Sequence, residues 1–288
     1  MQHTQSTLEG AGGLRLFTQS WLPDGAGSGS AAKAALVLVH GYGEHSGRYA
    51  NLVNALVPHG IAVYSYDHRG HGRSPGQRGH IMAWDEYRGD LERLVAYVRS
   101  QTPAPVFLYA HSMGALIALE YLLHQPKDVA GAVISGAPIQ PGSVAPPAKV
   151  LLAKVLSGIV PTFSVPFGDG TTGNLSRDPA VQTAFDADPL THNAVSVRWG
   201  TEAMAAVERV KTQAGRIQVP LLLVHGGADR MNLPQGVQGW VGGVGSADKE
   251  LKLYPGNLHE VHNDYDAPKL MEDVRGWIEQ RVQAFRGP

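Results

Sequence analysis

Short apolar runs rich in branched residues recur along the chain, and each ends in a polar or glycine-rich turn. They lie at 35–39 (ALVLV), 61–66 (IAVYSY), 106–110 (VFLYA), 129–135 (VAGAVIS) and 221–224 (LLLV). Continuous apolar runs of this length read as strands buried on both faces of a parallel sheet. Residues 251–254 predict a last strand, and 4–10 with 14–21 predict an opening hairpin around Gly10, Gly12 and Gly13. Residues 49–58 and 86–100 carry apolar positions three and four apart, the spacing of a half-buried helix. Two further helices are predicted, 112–124 (SMGALIALEYLLH), stopping before Pro126, and 269–285. Strand and helix alternate, which implies an α/β fold with a mostly parallel sheet.

The alternation breaks from about residue 140 to 212. Pro141, Pro146, Pro147, Pro161 and Pro166 crowd its start, strand-like runs are missing, and the sheet pattern resumes at Val219. The expectation is an α/β core formed by residues 1–139 and 213–288, with 140–212 inserted as a mainly helical lid. Residues 24–32 (DGAGSGSAA) read as a flexible surface loop.

The 288 residues suit one large α/β domain carrying an insertion, and 43% hydrophobic against 17% charged residues allows a sizeable core. A formal net charge of -1 without charged runs gives nucleic acid no electrostatic footprint. The chain has no cysteine, which excludes disulfides, thiol catalysis and cysteine-ligated metal. The start, MQHTQSTLEGAGG, lacks the basic and apolar regions of a signal peptide, and no apolar stretch is long enough to span a bilayer. The expectation is a soluble, cytoplasmic protein.

Two serines compete as nucleophile. GRSPG at 72–76 matches G-x-S-x-G literally, whereas AHSMG at 110–114 misses it by one methyl group. A nucleophile elbow needs a strand before the serine, a helix after it and a free N–H on the next residue. Removing one oxyanion donor costs ~100- to 1,000-fold in rate. Ser74 is followed by Pro75, which has no N–H, and neither strand nor helix flanks it. Ser112 has VFLYA before it, Met113 after it and an apolar helix whose N-terminal end favours an anion. A serine at a strand–helix junction is also an ordinary helix cap, so the short motif does not decide alone.

Serine needs a base, and the base an orienting acid; in such folds they follow in the order Ser, Asp or Glu, His. HGGAD places Asp229 just past a buried strand, and YPGNLHE places His259 just past the last one. Taken alone, Asp229 reads more readily as a cap of the turn after Gly226 and Gly227, and His262 is a rival base three residues on. HEVH is not H-E-x-x-H, which disfavours a zinc-protease helix. His68 and His71 have no obvious third metal ligand. The loop HGYGEHSGRY after Val39 should supply the second oxyanion donor, with the Tyr42 N–H as candidate; no phosphate-loop lysine follows its GYG.

The strings HGYGEHSGRY, YDHRGHGRSPGQRGH, AHSMG, DPL at 188–190, HGGAD and YPGNLHE resemble the monoacylglycerol lipase branch of the α/β-hydrolase fold family. The resemblance runs from about residue 36 to the C-terminus and is weakest in the insertion. It implies an α/β-hydrolase fold, a mostly parallel eight-stranded sheet flanked by helices, with an inserted mainly helical lid. It implies Ser112, Asp229 and His259 as triad and Tyr42 and Met113 as oxyanion donors, without cofactor or metal. It also implies Glu44, Arg48 and His262 at the glycerol end of the pocket, although a loop-fixing ion pair accounts for Glu44 and Arg48 equally well. Ala110 and Ala115 depart from the usual glycines. The run VLLAKVLSGIV at 150–160 implies an acyl tunnel and transient peripheral membrane contact through the lid. The expected substrate is a monoacylglycerol. A lysophospholipase or broad carboxylesterase is the alternative, and a non-catalytic ligand-binding relative is disfavoured by the complete triad.

Overall fold

A computed structural model describes residues 1–25, 32–143, 145–166 and 174–286, so most of the loop expected at 24–32 lies outside the described residues. The elements in chain order are β1 (Gln2–Glu9), β2 (Arg15–Leu22), β3 (Ala34–Val39), α1 (Ala50–Leu56), β4 (Ile61–Tyr66), α2 (Asp85–Gln101), β5 (Val106–His111), α3 (Met113–Leu122) and β6 (Gly131–Ser135). Then follow α4 (Pro147–Ile159), β7 (Ser164–Pro166), α5 (Pro179–Ala187), β8 (Ala194–Ser196), α6 (Val197–Thr212), β9 (Leu221–Gly226), α7 (Pro234–Trp240), β10 (Lys249–Tyr254) and α8 (Ala267–Arg286).

Eight strands form one sheet in the order β1-β2-β4-β3-β5-β6-β9-β10. The β1–β2 and β2–β4 pairs are antiparallel and the other five parallel. Side chains alternate between the two faces, as a strand's period of two requires. Ala35, Val37 and Val39 face Leu91, Leu94 and Val98 of α2 and Leu116 of α3. Leu36 and Leu38 face Leu52 and Leu56 of α1 and Leu270, Val274 and Trp277 of α8. Helices cover both faces, which is why the central strands read as unbroken apolar runs.

Helix α3 is buried all round, because it packs on the sheet and also against α2 and α6. Its one charge, Glu120, accepts a hydrogen bond from Arg209 Nε of α6. Gly114 in its first turn lies against the end of β3. A Cβ there would stand 2.2 Å from the Val39 carbonyl oxygen and 2.4 Å from that of His40.

β6 and β9 are adjacent and parallel, yet about eighty residues separate them in the chain. That segment carries α4, α5 and α6, with α4 packed on α6. It also contains a two-stranded antiparallel pair, β7 with β8, which corrects the expectation that strands are missing there. Each strand has three residues and β7 ends on a proline, too short a run to show an alternating pattern. Elsewhere the expected elements are present with ends shifted by a few residues. The strand expected from residue 129 begins at Gly131, and the helix expected to reach 58 ends at Leu56, before a 3₁₀ turn holding Pro58.

Two glycine substitutions separate these packing constraints. Gly114→Ala should cost about 1–3 kcal/mol, because backbone atoms on both sides must move. Gly200→Ala, in α6 with open space around the added methyl, should stabilise by about 0.5–1 kcal/mol. Urea midpoints of the two variants against the parent protein read both signs.

Candidate active site

The candidate residues converge at the carboxyl ends of the parallel strands, where the loops of an open α/β sheet form a crevice. Ser112 sits between β5 and α3 with φ 53° and ψ −116°, one of two non-glycine residues with positive φ among those described. The backbone is pinned there: its N–H donates to Ser135 O at 2.9 Å and its carbonyl accepts from Leu116 N at 3.1 Å. A left-handed φ on a residue with a Cβ stores strain that the surrounding packing must hold. The turn projects the hydroxyl into the crevice and leaves Met113 as first residue of α3, one of the positions whose N–H has no acceptor within the helix.

His259 follows β10 and Asp229 follows β9. His259 Nε2 lies 2.9 Å from Ser112 Oγ, and Nδ1 lies 2.8 Å from Asp229 Oδ2. Asp229 Oδ2 accepts a hydrogen bond from Nδ1–H, which leaves the unprotonated Nε2 facing the hydroxyl. Asp229 Oδ1 accepts the N–H groups of Met231 at 2.8 Å and Asn232 at 3.0 Å. The turn-capping role and the role beside histidine are therefore filled together, by different oxygens.

Burial would raise the carboxyl of Asp229. The His259 charge and hydrogen bonds from His225, His259 and Asn232 override it and hold the group well below the usual carboxylate range. Burial would likewise lower His259, but Asp229, by charge and hydrogen bond, and then Glu260 and Glu44 lift it above its ordinary value. The neighbouring imidazoles behave oppositely. His111 lies 4.7 Å from both His259 and His262, ring to ring, and burial and the charge of His259 push it well below its ordinary value. His262 stacks on Tyr49 at 4.6 Å, and burial lowers it to about 4. Neither of its ring nitrogens makes a hydrogen bond among the described residues, whereas His259 Nε2 faces Ser112 Oγ.

Ser74 is enclosed. Its hydroxyl donates to Asp67 O and accepts from Phe17 N at 2.9 Å, fixing the DHRGHG loop to β2. His68 belongs to the same scaffold: its backbone N–H donates to His40 Nε2 and its Nε2 to His40 O, both at 2.9 Å. His71 Nδ1 donates to Arg69 O at 3.0 Å. Among the described residues no group of three or more His, Asp or Glu side chains is arranged to hold a metal.

The loop after β3 brings Tyr42 beside the crevice. Gly41, just before it, would meet Ser112 Cβ at 3.4 Å if it carried a Cβ of its own. The loop is fixed from inside by Glu44, whose Oε1 accepts from Gly41 N and from Tyr49 OH at 2.6 Å. Its Oε2 accepts from Arg48 at 2.7 Å. Glu44 is 2% exposed, and Arg48 holds Glu260 as well, so the two side chains form the ion pair expected for this loop. His262, fully buried, is likewise enclosed.

Sequence reasoning missed four features. His225 Nε2 lies 2.8 Å from Asn232 O and 3.2 Å from Asp229 Oδ2, bracing the acid; it stands inside HGGAD and was legible there. Glu260 was visible only as the neighbour of His259. Tyr42 uses its side chain as well, donating to Ala194 O and packing 4.5 Å from the Trp199 ring. His192 N–H donates to Gly43 O at 2.9 Å, and Ser196 N–H donates to Gly79 O at 2.9 Å. The segment between β6 and β9 is thus laced to the loop that carries Tyr42. Long-range contacts of this kind leave no local pattern.

The departures from glycine are accommodated. Ala110 and Ala115 are fully buried within the core cluster between β5 and α3. The tight position is Gly114, which the chain keeps.

Residues 30–266 match the serine aminopeptidase, S33, family. The chain is 34% identical to the monoacylglycerol lipase of Mycolicibacterium smegmatis over 277 residues, 96% of each chain. It is 34% identical to the human monoglyceride lipase over 284 residues, 96% of this chain and 90% of that one. The crystal structure of Paleococcus ferrophilus monoacylglycerol lipase superposes with a TM-score of 0.83 at 31% identity, covering 92% of this chain and 99% of that one. With its α/β-hydrolase sheet and these relatives, the chain belongs to the serine aminopeptidase S33 family, in the monoacylglycerol lipase branch, and is a carboxylic ester hydrolase.

Proposed function

We propose that this ester hydrolase cleaves monoacylglycerols to fatty acid and glycerol through an acyl-enzyme on Ser112. The observation that carries the chemistry is the continuous chain of contacts Ser112 Oγ to His259 Nε2 and His259 Nδ1 to Asp229 Oδ2. His259 takes the hydroxyl proton as Oγ attacks the ester carbonyl. The N–H groups of Tyr42 and Met113 receive the oxyanion. His259 then passes the proton to the departing glycerol oxygen, and water, activated by the same imidazole, releases the fatty acid. Asp229 fixes the ring and supports its positive charge. The substrate class is supported by the names of the relatives at 34% identity. Glu44, Arg48 and His262 form the wall behind the alcohol in this reading, shaping it rather than binding it.

Residues 140–212 act as the lid over a core made of 1–139 and 213–288. On α4 and the turn after it, Leu151, Leu152, Val155, Ile159 and Phe163 are all more than half exposed or nearly so, from 50% to 72%. Contiguous apolar exposure of this kind suits transient contact with a lipid surface. No helix among the described residues is long and apolar enough to cross a membrane.

Fatty-acid release from monoacylglycerols of graded chain length should exceed release from lysophosphatidylcholine and hydrolysis of a short aryl ester. Ser112→Ala should abolish all three and block labelling by a fluorophosphonate, with thermal stability retained. A preference for lysophosphatidylcholine would make the protein a lysophospholipase, and activity confined to the aryl ester a general esterase. Because His259 lies above the ordinary imidazole value of ~6.5, the acidic limb of kcat/KM should lie above it too, with activity lost as the ring protonates at lower pH. Asp229→Asn should lower kcat by ~10⁴-fold and shift that limb to lower pH, as a pH–rate series will read. Leu151→Ser with Ile159→Ser should reduce cosedimentation with phosphatidylcholine vesicles and leave aryl-ester hydrolysis in solution unchanged.

A further inference from the structure

The loop that carries the oxyanion donor and the loop that carries the base come from opposite ends of the chain, after β3 and after β10. They share one buried cation. Arg48 Nη1 donates to Glu44 Oε2 at 2.7 Å and to Glu260 Oε1 at 2.7 Å, and Nη2 donates to Glu260 Oε2 at 3.0 Å. Glu44 holds Gly41 N–H, the residue before Tyr42, and Glu260 adjoins His259. Both carboxylates are 2% exposed. The guanidinium also lies over the ring of Phe185 in α5, 4.8 Å from its centroid.

We propose that Arg48 is a positioning residue that holds the oxyanion loop and the histidine loop in register by bridging Glu44 and Glu260. The bond to Glu260 is bidentate, and a planar fork fixes direction as well as distance. Lysine offers one point charge and cannot hold both carboxylates in that geometry. Each carboxylate has a further donor besides Arg48: Tyr49 OH on Glu44 Oε1, and Asn263 Nδ2 on Glu260 Oε2 at 2.8 Å. Movement of either loop therefore has to break charge-assisted bonds out of water.

The charges count as well as the geometry. Two carboxylates against one guanidinium leave a formal charge of −1 beside His259 when both are ionised. The two acids respond differently. Burial pushes Glu44 up, against the pull of Arg48. Burial would raise Glu260 too, but the charge and hydrogen bonds of Arg48 bring it below its ordinary value. Glu260 thus stays anionic and adds to Asp229 in favouring the imidazolium that forms when Ser112 loses its proton.

This inference rests on the acyl-transfer reading above, so its test uses a short aryl ester, which probes that chemistry whatever the natural alcohol is. Steady-state kinetics from pH 5 to 9, fluorophosphonate labelling rates and thermal midpoints would be measured for Arg48→Lys and Glu260→Gln, with Ser112→Ala as control. Residual turnover in Ser112→Ala would refute the acyl-transfer reading itself, separately from the clamp. The expected result is kcat reduced about 10- to 100-fold in Arg48→Lys, with KM within about twofold and slower labelling of Ser112. In Glu260→Gln the acidic limb should move to lower pH, because one negative charge beside His259 is gone. Should Arg48→Lys fail to fold, Glu260→Gln, which keeps the side-chain shape, decides through its kcat and its pH limb. A rise in KM with kcat unchanged would overturn the proposal in favour of direct head-group binding. Parent-like kcat and pH limb in a folded variant would overturn it outright.

Discussion

The site depends on one backbone constraint, the left-handed turn at Ser112. A strand buried on both faces must stop and a helix buried all round must start within one residue, and the serine takes φ 53° to do it. Nothing local favours that conformation for a residue with a Cβ. It is held by Ser112 N–H on Ser135 O, by Leu116 N–H on Ser112 O, and by Gly114 seated under the carbonyls of Val39 and His40. Those last contacts matter twice, because Val39 and His40 begin the loop that carries Tyr42. The packing that sustains the strained turn at Ser112 also brings the loop of Tyr42 alongside.

Around the turn, charge is sorted. Asp229, Glu260 and Glu44 act on His259 with one sign and raise its proton affinity. His111 and His262, close by and fully enclosed, are kept neutral by burial. Several imidazoles share a small volume, yet only one has both a carboxylate on Nδ1 and the hydroxyl on Nε2. The two hydrogen bonds, more than proton affinity, set His259 apart from its neighbours as the proposed base. Burying this much charge costs desolvation, and it is sustained because each carboxylate has several donors.

What the sequence made legible follows from how local each signal is. The buried strands and the helices beside them show in apolar runs, since covering both faces leaves no room for polar residues. Ser112 was separable from Ser74 by a missing N–H at Pro75, a covalent fact. Asp229 and His259 were readable from strand ends and chain order. The role of Arg48 was not, because its partner Glu260 lies at the far end of the chain and only folding makes them neighbours. The short pair β7–β8 was invisible for a different reason: three residues cannot establish a period.

Tyr42 makes the geometry of reaction and the position of the segment between β6 and β9 one mechanical question. Its N–H faces the site in the proposed mechanism, while its hydroxyl holds Ala194 O and its ring lies on Trp199. Gly43 accepts from His192 N–H on the same loop, and a Cβ at Gly43 would stand 2.3 Å from His192 O. A rigid-body shift of that segment must therefore pull on Tyr42, the proposed oxyanion donor, or break its bonds first. Arg48 opposes such a pull from the other side, through Glu44 to Gly41 and through Glu260 to the histidine loop. The loop that carries Tyr42 is thereby held between two anchors: one in the segment between β6 and β9, the other in the ion pairs of Arg48.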